Sequence, residues 1–219
     1  MTKQQMHDQV KYWIGLQDIA SFDETNFIDD LLYQGTLDLL ARTRCVARCV
    51  NLNVLADVDT YTLDQLILAL VDIEDGHRNR ARRDEQAQNA YYPEFTLIRS
   101  DVLRLDPAPS ENGSVQTWAV LKPAKMTADA NSPSDEAYGA IPEEWHDAIV
   151  LYALWKGSDY SDDQSAQMGE RYRALYEGQD GRGGRLAQIR IAVNKRGTAR
   201  APGRRVRLRG ASPRGAWVG

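Results

Sequence analysis

The chain has 219 residues, 42% of them hydrophobic and 26% charged, with 31 acidic against 27 basic side chains and a formal net charge of −4. That balance is ordinary for a globular protein, long enough for one embellished domain or two small ones, and no apolar run approaches the roughly 20 residues needed to cross a bilayer. The N-terminus lacks a secretory apolar stretch, and Cys45 and Cys49, four apart in a helical pattern with no second pair, read as reduced thiols rather than a disulfide framework or a metal site.

In chain order, Met6, Val10, Trp13 and Ile14 fall on one helical face that Gly15 closes. Ser21 and Glu24 fit a capping box opening a long helix, whose stripe is Ile28, Leu31, Leu32, Gly35 and Leu39, running on toward Val46. Acidic residues cluster near its start and Arg42, Arg44 and Arg48 near its end, as the helix dipole favours. Val50, Leu52 and Val54 then alternate with Asn51 and Asn53, a strand signal. The apolar run 66–73 is a buried strand or a short helix, which periodicity alone does not decide. Residues 77–90 are polar and read as an exposed loop or frayed helix. Runs at 95–98, 102–105 and 115–121 read as strands of a small antiparallel sheet, with Pro107, Pro109 and Asn112-Gly113 turning the chain into the last of them. Residues 122–140, rich in Pro, Ala, Ser and Asp, read as an ordered loop or linker. Pro142, Glu143 and Glu144 open a helix with Trp145, Ala148, Ile149, Tyr152 and Trp155 on its apolar face and Gly157 at its end. Ser161 and Gln164 make a second capping box before a stripe of Met168, Tyr172, Leu175 and Tyr176 that closes at Gly178, so the two helices pair as a hairpin.

Charge is divided unevenly. From Arg182 to the last residue the chain carries eleven Lys and Arg and no Asp or Glu: Arg182, Arg185, Arg190, Lys195, Arg196, Arg200, Arg204, Arg205, Arg207, Arg209 and Arg214. An acidic body therefore precedes a basic tail, a pattern of interaction segments. Ile189, Ile191 and Val193 alternate with basic or polar residues, as in a strand awaiting a partner's edge. The predicted state of 182–219 is an extended arm that orders on assembly. Arginine outnumbers lysine ten to one there, which favours bidentate contact with carboxylate or phosphate. The partner is an acidic protein surface, nucleic acid, or the body of another copy. Val206, Leu208 and Trp217 supply apolar anchors, and Trp217 reads either as a plug for a partner's pocket or as inconsequential.

Catalytic chemistry finds no support. His146 has Glu143 within helical reach but no third ligand, Asp162-Asp163 sits where a helix start expects acids, and phosphate-loop, nucleophile-elbow and His-x-x-x-His patterns are missing. No catalytic residue, metal or cofactor is expected. The overall expectation is an α+β fold: N-terminal helices over 1–49, a small β-rich antiparallel insertion over 50–122, a loop over 123–140, a helical hairpin over 141–181 completing a helical bundle, and the basic arm over 182–219.

The run IPEEWHDAIVLYAL at 141–154, followed by DQSAQMGERYRALY at 163–176, resembles the helical hairpin of head–tail connector proteins of tailed bacteriophages, also called adaptor or head-completion proteins. The strand–loop segment from Leu103 to Thr127 is similar to the sheet that precedes that hairpin. The resemblance covers about 100–178 and, more weakly, the helix at 24–47. It implies a non-enzymatic virion protein at the head–tail junction, a ring of usually twelve copies beneath the portal that extends the DNA channel and offers a platform to the next neck or tail protein. The basic residues above and Trp217 would then meet portal, a neighbouring copy or, non-specifically, channel DNA. Two alternatives stay open: another neck or tail-completion component, and a nucleic-acid-binding protein that grips phosphate with its arm.

Overall fold

The computed structural model describes residues 1–14, 24–64, 66–75, 78–82, 94–99, 102–159, 163–179 and 182–200. It is a mixed α+β structure in which five helices share one core and an antiparallel sheet carries a second. The helices are α1 (Lys3–Ile14), α2 (Glu24–Thr43), α3 (His146–Ser158), α4 (Asp163–Glu177) and α5 (Arg185–Arg200). Seven strands, β1 (Arg48–Val54), β2 (Thr60–Thr62), β3 (Ile67–Asp75), β4 (Arg78–Arg82), β5 (Glu94–Arg99), β6 (Val102–Asp106) and β7 (Gly113–Leu121), form one sheet in the order β1-β7-β3-β4-β5-β6-β2. Among the described strand pairs only the short β4–β5 pair is parallel. A two-residue ladder of β8 (Gly178–Gln179) and β9 (Arg182–Gly183) joins α4 to α5.

The helical core is built from the stripes that periodicity exposes. Met6, Val10 and Ile14 of α1 meet Ile28, Leu31, Leu32, Leu39 and Leu40 of α2 and Ile149, Ala153 and Leu154 of α3, all buried. Trp13, expected on the buried face of α1, is 60% exposed instead, because its position falls off the line through Met6, Val10 and Ile14 that α2 and α3 cover. Gly157 does not end α3. It lies one residue inside, where an added Cβ would stand 2.2 Å from Ile14 Cδ1, so its lack of a side chain lets α1 close on α3. Gly178 does end α4, with φ of +102°, a backbone angle that costs glycine little. On α4 only part of the expected stripe is internal: Tyr172 and Tyr176 are buried, Met168 and Leu175 are exposed.

The second core, Val54, Tyr61, Leu63, Leu70, Leu103, Leu105, Val115 and Ala119, draws on β1, β2, β3, β6 and β7 together. The sheet therefore curls until its two halves face each other. Period-two burial along β7, with Val115, Thr117 and Ala119 inward and Gln116 and Trp118 outward, is what a strand between one covered and one open face requires. The run at 66–73 resolves as strand β3, and part of the stretch read as loop or frayed helix is strand β4. The turn at Asn112-Gly113 does not fold β7 back on β6. β7 instead pairs with β1 and β3, since the long apolar strand is stabilised most in the centre of the sheet. Helix α2 stops at Thr43, so Cys45 lies in the following loop and Cys49 in β1, both free thiols rather than neighbours on a helix. The capping serines Ser21 and Ser161 lie outside the described residues, as do Gly15 and most of 77–90.

Residues 185–200 are not extended but helical, and α5 packs against α2 and α4 with Leu186 and Ile189 buried in the main core. Leu186, Ile189 and Val193 stand three and four apart, the spacing of a helix face. The i, i+2 alternation that read as strand shares two of those three residues.

Candidate assembly surface

The loop 122–140 is an ordered platform for α1. Lys3 N–H donates to Asn131 O at 2.7 Å and Gln4 N–H to Asp129 O at 3.2 Å, satisfying two amides that a helix start leaves unpaired. The Lys3 ammonium meets Asp29 at 2.8 Å with only 7% and 10% of the two side chains exposed. Burial works against the charge on Lys3, but the hydrogen bond and negative charge of Asp29 outweigh it and hold its pKa above the usual range. His146, the one histidine that tempts a metal assignment, is fully buried and structural: Nδ1 lies 3.0 Å from the Met1 amine, and Nε2 lies 3.1 Å from Ile141 O and 3.2 Å from the Ser134 hydroxyl. Burial pushes its pKa below the ordinary imidazole value, although the Ile141 carbonyl acts the other way. Among the described residues no group of three His, Cys, Asp or Glu could hold a metal ion, and no helix is long and apolar enough to cross a membrane.

A polar clasp ties the last turns of α2 and α4. The fully buried Tyr176 donates its hydroxyl to Asp38 Oδ2 at 2.7 Å, Arg42 bridges Asp38 at 3.0 Å and Glu177 at 2.5 Å, and Arg173 adds 3.1 Å to Glu177. Burial and then the bond to Asp38 push the Tyr176 hydroxyl far up, so it stays a donor. Two i, i+4 pairs, Asp38–Arg42 and Arg173–Glu177, were visible as spacing; that they meet across helices was not.

Helix α5 closes over this clasp, and the expected contact arginines divide accordingly. Arg190 Nε donates at 3.0 Å to Arg42 O, one of the carbonyls that α2 leaves open at its C-terminus. Arg185 bonds Asp147 at 2.8 Å and also the Glu144 carbonyl at the start of α3. Those two guanidinium groups have partners within the fold, although Arg190 stays exposed to solvent. Arg182 lies in β9, and Lys195, exposed, in the second half of α5 along with Arg196 and Arg200. Arg204, Arg205, Arg207, Arg209, Arg214 and Trp217 lie outside the described residues.

Beyond the basic tail, the surface carries aromatic groups that helical spacing had assigned to the core or not singled out. Tyr12 and Trp13 are 71% and 60% exposed and pack edge to face, ring centroids 5.4 Å apart. Trp118 projects from the open face of β7 at 40% exposure. Exposed Trp and Tyr of this kind are the side chains that most often anchor protein interfaces. A hollow of about 180 Å³ lies where α2, β1 and the 122–140 loop meet, lined by Leu40, Val46, Lys122 and Pro123 and crossed by the Arg48–Glu136 ion pair at 3.0 Å.

Compared with known families, the chain matches a family model described as SU10 adaptor protein over residues 1–206. No curated protein matches it.

Proposed function

The chain belongs to the SU10 adaptor protein family, and on that premise we propose that this phage structural adaptor forms a ring of copies, twelve in number, seated beneath the portal of the DNA-filled head. There it joins head to tail, lengthens the DNA channel and receives the next neck or tail protein. The observation that carries the reading is the match to an adaptor family across nearly the whole chain. Three features support it. The helical core is cross-braced by the Asp38–Arg42–Tyr176–Glu177 clasp and by Arg190, which holds α2, α4 and α5 as one rigid unit for a ring to be built from. Rings of aromatics from Tyr12, Trp13 and Trp118 offer contact surfaces. The charge split sets an acidic body against a basic tail, so neighbouring copies attract where tail meets body.

Of the basic residues, Arg185 and Arg190 already have partners within the fold, and the contacts to portal, neighbour or DNA are Arg182 and those from Lys195 onward, with Trp217. Electron microscopy of the purified protein, alone and mixed with portal, tests the reading. Rings that seat on portal are expected. A protein that stays single and ignores portal sinks it. Salt-steep binding of the monomer to DNA at physiological ionic strength would favour the nucleic-acid reading instead.

A further inference from the structure

Two strands end the main sheet, and they differ. β2 has three residues, too short to invite another strand. β1 has seven, pairs among the described strands with β7 alone, contains no proline, and carries its one charge at its first position, Arg48. Natural edges are usually shortened, charged or covered; this one is none of these over 49–54. The Thr117 hydroxyl reaches Val50 O at 2.6 Å, which turns that carbonyl toward β7. Antiparallel alternation then points the backbone N–H and C=O of Cys49, Asn51 and Asn53 away from the sheet. All three residues are exposed, and among the described residues no backbone bond from outside the sheet reaches them. On the inner face Val50 and Leu52 are only half buried, as apolar residues at an uncovered edge must be.

We propose that residues 204–209 of an adjoining copy add to this edge as an eighth strand. The sequence there is Arg204-Arg-Val-Arg-Leu-Arg209, in which Val206 and Leu208 fall on one face and Arg205, Arg207 and Arg209 on the other. Set against β1, the two apolar residues complete the cover over Val50 and Leu52. The three arginines stand on the open face with Asn51, Asn53 and Trp118, where a guanidinium can lie on the indole. Helix α5 ends at Arg200, leaving 19 residues beyond it, enough for such a strand with chain to spare. An adjoining copy is the source because the bodies share a sign of charge: 16 basic and 31 acidic residues precede Arg182. A basic strand crossing from one body to the next offsets their repulsion, whereas one folded on its own edge leaves it. The source rests on the ring reading; the register of the strand does not.

The test uses Cys49, which sits on the open face of β1. In the full chain with Cys45→Ser, single cysteines are placed in turn at 205 to 209 and oxidised under mild conditions. Directly opposed strand residues lie about 5.5 Å apart between Cα atoms, within disulfide range. Bridges between chains at 205, 207 or 209, at least fivefold above those at 206 and 208, are expected. Equal yields at all five positions, no bridges, or bridges within one chain overturn the proposal. Amide exchange provides an independent reading: the N–H groups of Asn51 and Asn53 should be protected in the assembled full-length protein, and at least tenfold less so in a Val206→Pro, Leu208→Pro variant. Equal exchange in the two proteins also overturns it. If alternating bridges form but the particles ignore portal, the adaptor placement fails and the strand addition stands.

Discussion

Ile189 and Ile191 are the same residue type two positions apart, and they discriminate helix from strand at the start of the basic tail. Ile189 is fully buried in the core with Leu186, whereas Ile191 is 55% exposed. Replacing a buried isoleucine with alanine removes apolar contact and leaves a cavity, about 2–5 kcal/mol across known cores. The better helix propensity of alanine returns only a few tenths of a kcal/mol. Ile189→Ala is therefore expected to cost about 3 kcal/mol and Ile191→Ala to lie within about 0.5 kcal/mol of the parent. With a urea slope on the order of 2 kcal/mol/M, the first variant lowers the unfolding midpoint by roughly 1.5 M and the second leaves it in place. Circular dichroism at 222 nm against urea reads both. If the two substitutions cost the same, α5 does not pack as described: equal large losses mean that both side chains share one buried face, and equal small losses mean that 185–200 is the detached arm that alternation implied.

Three further outcomes follow from single contacts. Lys3→Met strands the buried Asp29 carboxylate and should cost about 3 kcal/mol, while Lys3→Met with Asp29→Leu recovers most of it; additive losses in the urea midpoints would refute the pairing. His146 has a pKa lowered from 6.5, first by burial, so the unfolded chain takes up a proton before the folded one as pH falls. Stability is then full above about pH 6.5 and declines below it, and His146→Gln should flatten that slope in midpoints measured from pH 5 to 8. Gly184→Ala would place a Cβ 2.4 Å from Gly178 N and 2.6 Å from Tyr176 O, backbone atoms that cannot swing aside. A loss of about 2–3 kcal/mol or more is expected in thermal or urea unfolding, and an unchanged midpoint would refute the close packing of the α4–α5 turn.

Local order was legible wherever one element carried its own signal. The stripe Ile28, Leu31, Leu32 and Leu39 marks α2 because a helix repeats every 3.6 residues whatever it packs against, and Asn51 and Asn53 between apolar neighbours mark β1 by the strand period of two. That spacing offers His146 no ligand set was readable too, but its burial against Met1, Ser134 and Ile141 was not. The clasp was not, because Asp38 and Tyr176 lie 138 positions apart and meet only once α2 and α4 pack.

The sequence alone therefore determined the helical periodicity of α1 to α4, the alternation of β1, the stop at Gly178 and the partition of charge between body and tail, all of which are read from neighbours a few residues away. Tertiary structure decided the rest: that β7 lies between β1 and β3 instead of beside β6, that Trp13 faces outward, and that 185–200 folds as a helix closing over α2. These are contests between arrangements with similar local energies. Leu186, Ile189 and Val193 suit a helix face and Ile189, Ile191 and Val193 a strand face, and what separates them is the groove between α2 and α4, which exists only when distant parts of the chain have come together.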